Sequence, residues 1–196
     1  MMTLKLGLNR GIQMKLKSIV VAAVITALLP FASFASGAEK EVVKMTSESY
    51  YNPFKIAYTK HEQGRHAEAF PELLKYATYG EKIAQYLVGT YMVTGTGTEQ
   101  NIIEGLIWMG VALEQQDPIW EKSYAKIYNQ LSAEQKKELD ALIAERKALY
   151  GADSQNMACR FESIKTGTNI KAHRCYKIRD AMLYVRVIKY PAATLQ

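Results

Sequence analysis

Residues that carry chemistry are scarce in this chain. Its 196 residues include two cysteines and three histidines, and neither type is spaced for catalysis. Cys159 and Cys175 are not a Cys-x-x-Cys pair, which excludes the usual dithiol redox motif. His61 and His66 are five positions apart across Gly64, not the three or four that align two ligands on one helix face. No metal site is expected. There is no Gly-x-Ser-x-Gly elbow, and Gly95-Thr96-Gly97 lacks the glycine and lysine that would make it a phosphate loop. Glu68 and Glu72 recur at i,i+4, which reads as a solvated helix face. The chain is not expected to be an enzyme, and no cofactor is implied.

A general basic excess is also missing. The formal charge is +6, but residues 1–38 hold four of the 25 basic side chains and no acid, so without them the net charge is +2. The remainder is uneven: residues 39–158 carry 13 basic and 17 acidic groups, and residues 159–196 carry eight and two. A mildly acidic body therefore precedes a basic tail. Long apolar runs are limited to one. Ile19–Leu29 follows Met14-Lys15-Leu16-Lys17 and stops at Pro30, about half the roughly 20 residues that a membrane span needs. Small residues follow it, from Ala32 to Ala38. This is the three-part build of a cleavable export signal over residues 1–38, with cleavage after Ala35 or after Ala38. Met14 offers a second, better-placed start. No cysteine lies near the cleavage site, which argues against a lipid anchor. The expectation is a mature chain without a transmembrane segment, resident in the periplasm of a two-membrane bacterium, where nucleic acid is not a partner. Export also agrees with pairing Cys159 and Cys175 as a disulfide.

Residues 39–52 are polar and read as a mobile leader. From Pro53 onward apolar residues recur at three- and four-residue spacing, which predicts helices over 53–63, 66–79, 81–94, 101–115, 118–130 and 132–150. Gly64 and Gly80 end the first two. Asp117-Pro118 opens the fifth, and Ser132-Ala133-Glu134-Gln135 is a capping box for the sixth. Short loops make neighbouring helices antiparallel. Within this helical domain, 53–150, one stretch is distinctive. Gly80, Ala84-Gln85, Gly89, the Gly95/Gly97 pair and Trp108 together resemble the Sel1-like repeat, a relative of the tetratricopeptide repeat. The match spans about residues 64–116 and departs from the family's usual residues at Thr98, Asn101 and Gly105. The resemblance implies antiparallel helix pairs in a short Sel1-like solenoid, with Trp108 plugging a seam between pairs. It also implies an adaptor or scaffold that binds another protein. Solenoids bind on their concave face, and Tyr51, Tyr58 and Tyr91 are the candidate contacts.

After Gly151 the character becomes β. Cys159–Ile164 and Asn169–Ile178 flank Lys165-Thr166-Gly167-Thr168, and Cys159 and Cys175 lie eight residues either side of Gly167. A turn centred there sets the two cysteines directly opposite, within disulfide reach. Residues 151–196 are thus read as a basic β element closed by that bond, with Leu183–Tyr190 as a third strand. The same register sets Arg160 opposite Arg174. These two are candidate anion-binding residues, and they carry the alternative reading: a binder of anionic envelope material such as a lipid head group or polysaccharide.

Overall fold

The computed structural model describes residues 40–164 and 169–191. The expected export signal, the turn expected at Gly167 and the last five residues lie outside the described residues. Within them the chain is mainly helical, with a small two-sheet β tail and a Cys159–Cys175 disulfide. Six helices run α1 (Ser47–Glu62), α2 (His66–Thr78), α3 (Lys82–Thr94), α4 (Ile102–Ala112), α5 (Pro118–Tyr128) and α6 (Ala133–Tyr150). A single 3-10 turn, Leu113–Gln115, continues α4.

The helix limits follow from caps. Asn101 accepts a hydrogen bond from the Glu104 amide at 3.0 Å and caps the start of α4. Asp117 accepts from Ile119 and Trp120, with Pro118 at the first helical position. The capping box of Ser132 and Gln135 is formed in both directions.

Packing between α3 and α4 is set by glycine. A Cβ on Gly89 would sit 2.6 Å from the Gly105 carbonyl oxygen, and a Cβ on Gly105 would sit 2.6 Å from that of Gly89. Gly89 also faces Met109, while Gly105 faces Val93, so the helices run antiparallel with their backbones in contact. By propensity alone, glycine at 105 weakens the helix by about 1 kcal/mol relative to alanine. The structure shows that the packing requires it.

Two apolar clusters fill the body. Tyr50, Leu73, Tyr76, Val88, Trp108 and Tyr150 belong to one, and Leu106, Val111, Leu139 and Ile143 to the other. Trp108 is fully buried, stacked on Tyr150 at 5.5 Å and under the Arg146 guanidinium at 4.8 Å. Arg146 is itself held by both carboxylate oxygens of Glu104.

Two expectations are corrected. Residues 39–52 are not a mobile leader: Glu41–Thr46 is strand β1, Ser47 opens α1, and Tyr50 is fully buried. Nor does the last strand join the hairpin. The hairpin is β2 (Met157–Ser163) and β3 (Lys171–Lys177), while β4 (Tyr184–Lys189) pairs antiparallel with β1, Val43 opposite Val187. The reason is packing. Val185 and Val187 alternate with exposed Arg186 and are both fully buried in the first cluster. The outer edge of β3 is meanwhile taken by the end of the 3-10 turn, where the Cys175 amide donates to Gln115 Oε1 at 2.8 Å.

Candidate functional site

The hairpin register agrees with the arithmetic of its sequence: Cys159 faces Cys175, with Cα atoms 4.0 Å apart, and Arg160 faces Arg174. The disulfide clamps the two strands, and Gln115 clamps the hairpin to the body. Its side-chain oxygen accepts from Cys175, and its carbonyl lies 3.2 Å from His173 Nδ1. The chain then turns through Gln116, held at φ 53°, and Asp117-Pro118 starts α5. Ile119 is left on the first turn of α5 at 73% exposure, facing a hairpin on which Phe161 is 64% exposed and Ile164 53%.

Between these walls lies a groove of about 540 Å³, with Ile83, Ile119, Trp120 and Phe161 on its apolar sides and Lys171 and Arg174 at its basic margin. Trp120 is held in place by a parallel stack on Tyr86 at 4.6 Å. A smaller cavity of about 270 Å³ lies among Glu81, Lys82, Glu162, Arg174 and Tyr176.

Charge around the smaller cavity is mostly internally satisfied. Lys82, 1% exposed, donates to Glu114 Oε2 at 2.7 Å and Gln85 Oε1 at 3.0 Å, and the same Glu114 oxygen accepts the Ala152 amide. Burial pushes the Lys82 ammonium pKa down, and Glu114 pushes it back up. Glu81 accepts from the Tyr50 hydroxyl at 2.8 Å, and burial holds its pKa above the carboxylate range. Lys177 donates to the Gln155 carbonyl at 2.6 Å and to its side-chain oxygen at 3.3 Å; burial drives its pKa down to about 7, against the pull of Glu81. These groups join the start of α3, the 3-10 turn, the segment after α6 and β3.

The predicted site residues fare differently. Tyr91 is not available to a partner: it is 3% exposed, with its hydroxyl 2.7 Å from His61 Nδ1 and 2.8 Å from His66 Nδ1. A hydroxyl has one proton, so one ring donates to the tyrosine oxygen while the other accepts from it. The two histidines thereby pin the Gly64 turn between α1 and α2 onto α3. Tyr51 and Tyr58, seven apart on α1, are half-buried, Tyr51 edge-on to Tyr50 and Tyr58 tilted against Phe54 and His61. Arg160 is paired with Glu162 at 2.8 Å and lies over the Tyr176 ring, whereas Arg174 is exposed and makes no ion pair among the described residues. Ile119 and Phe161 were missed by sequence reasoning. The available signal was weak: an apolar residue directly after an N-terminal proline, and another on a strand with charged neighbours.

No family model, curated protein or solved structure matches this chain. Among the described residues no helix is long and apolar enough to cross a membrane, and no group of three or more metal-ligating side chains comes together.

Proposed function

We propose that this is an exported protein-binding adaptor built on Sel1-like helix pairs, and that it grips an extended segment of a partner protein in the groove between α5 and the hairpin. The observation that carries the reading is the groove itself. Large apolar side chains are left exposed on two elements that are each clamped in place, by the Asp117 cap and by the disulfide with Gln115. Interfaces favour this combination of preorganised apolar anchors and a polar margin. Lys171 and Arg174 at that margin favour a segment with acidic residues beside apolar ones. The Gly89–Gly105 contact and the buried Trp108 support the Sel1-like assignment, and the disulfide supports export to an oxidising compartment.

The test is photo-cross-linking in cells. A cross-linker at Ile119 is expected to capture a discrete partner protein that one at Lys137, on exposed α6 surface, does not. Capture is expected to disappear when Ile83 is also changed to Asp. Equal labelling from both positions would overturn the reading. A second reading, anionic envelope material bound by the basic tail, is favoured by exposed Arg174, which makes no ion pair among the described residues. It requires binding to anionic vesicles that is lost when Arg160 and Arg174 are neutralised.

A further inference from the structure

We propose that β2 is a self-association edge, joining two copies of this chain by antiparallel β2–β2 pairing centred on Phe161. Backbone phase comes first. The Ile164 amide donates to the Ile170 carbonyl, inside the hairpin, whereas the Cys175 amide donates outward to Gln115. Hydrogen-bonded and non-hydrogen-bonded pairs alternate along an antiparallel ladder. Cys159, which faces Cys175, therefore points its N–H and C=O away from β3, and so do Phe161 and Ser163. The outer edge of β3 is covered by Gln115. Among the described residues the sheet holds β2 and β3 alone, and no backbone partner occupies the outward amides of Cys159, Phe161 and Ser163. Such an edge is a template for another strand.

The side chains then select the occupant. Antiparallel pairing centred on Phe161 sets Arg160 of each copy opposite Glu162 of the other, Cys159 opposite Ser163, and Phe161 opposite itself. Registers that keep the outward amides facing each other differ by two in the sum of paired residue numbers. The neighbouring choices centre on Arg160, which sets arginine against arginine, or on Glu162, which sets glutamate against glutamate. Like charges directly opposite are unfavourable and opposite charges favourable. Of these three registers only the one centred on Phe161 sets opposite charges against each other, and its charge pattern is self-complementary, as a two-fold interface requires. The Arg160–Glu162 contact within one chain is no obstacle: the two side chains are 66% and 36% exposed, and an ion pair in contact with water is weak enough to exchange partners.

In the resulting order β3–β2–β2–β3 the two Phe161 side chains lie on one face of a continuous sheet. That face carries His173, which packs on Phe161 at 5.1 Å, so the two grooves are brought side by side. The dimer stands independently of what the groove binds.

Sedimentation equilibrium of the exported chain with its disulfide intact tests the proposal. A dimer is expected at micromolar concentrations, with association weakened roughly tenfold or more in Arg160→Glu and in Glu162→Arg. Both singles place like charges opposite each other. The double variant Arg160→Glu/Glu162→Arg restores opposite charges and should dimerise like the parent. An equimolar mixture of the two singles should form a heterodimer, since each supplies what the other lacks. That recovery also shows that both singles are folded. A parent that is monomeric at 100 µM, a dimer indifferent to either single substitution, or singles that fail to associate when mixed would each overturn the proposal.

Discussion

Gly105→Ala separates two physical effects of opposite sign. In an isolated helix alanine is favoured over glycine by about 1 kcal/mol, so propensity alone predicts a more stable protein. The contact geometry predicts the reverse. The new methyl carbon would lie 2.6 Å from the Gly89 carbonyl oxygen, 2.8 Å from the Val93 nitrogen and 2.7 Å from Val93 Cγ2. Two of these atoms are backbone, so a side-chain rotation cannot relieve the contact and α3 must move off α4. Overpacking of this kind costs about 1–3 kcal/mol, and the backbone partners place it at the upper end. Subtracting the propensity gain leaves a net loss of about 2 kcal/mol. Urea unfolding followed by far-ultraviolet circular dichroism should show a lower midpoint at an unchanged slope. Gly89→Ala should behave similarly, and the double variant should lose less than the sum, because one separation of the helices serves both methyl groups. A Gly105→Ala protein as stable as the parent would refute the close-contact account.

Two buried charges give further predictions. Glu114→Ala removes the counter-charge of Lys82, which is 1% exposed, and leaves the Ala152 amide without its acceptor; a loss of about 3 kcal/mol is expected in urea unfolding. The double change with Lys82→Met should recover much of it. Lys177 has a folded pKa of about 7 against an ordinary value of 10.5. Between those values the unfolded chain holds a proton that the folded chain has released, so this lysine makes stability rise with pH from about 7 to 10. Relative to Lys177→Met, the parent should gain roughly 2 kcal/mol or more between pH 7 and pH 9.5 in paired urea titrations. Parallel pH profiles would show that Lys177 is charged in the folded chain.

Most helix limits and the hairpin register were legible in the sequence because they are decided locally. Asp117-Pro118, the Ser132–Gln135 box and the glycine turns act within a few residues, and equal arms around Gly167 put Cys159 opposite Cys175 without any knowledge of the body. What was not legible depends on partners distant in sequence. β1 looked like a polar leader because its pairing strand lies some 140 residues away. Tyr91 looked like a binding residue because nothing local says that His61 and His66 converge on its hydroxyl. Gly105 looked like a liability because the carbonyl that excludes a methyl group there belongs to another helix. The groove was hidden for the same reason, its two walls coming from α5 and from β2.

The β1–β4 pairing also changes what counts as the helical body. A chain ending at Tyr150 keeps every helix but loses Val185 and Val187, both fully buried against the cluster that includes Tyr50 and Tyr150. Burying a valine side chain contributes about 1.5–3 kcal/mol, so the two together account for about 3–6 kcal/mol. The truncation also removes Gln155 and Lys177, which bridge from the segment after α6 to β3, and the Ala152 amide that helps hold Glu114. Domains of this size are stable by about 5–15 kcal/mol, so most of the margin is gone. The fragment 39–150 should be cleaved by protease at least a hundredfold faster than the chain 39–196 under native conditions, through greater population of open forms. If it resists proteolysis as well as the longer chain, the helices are self-sufficient and β4 is an accessory. If it is degraded, the tail is part of the fold, and any loss of partner binding in such a fragment reports unfolding before it reports the site.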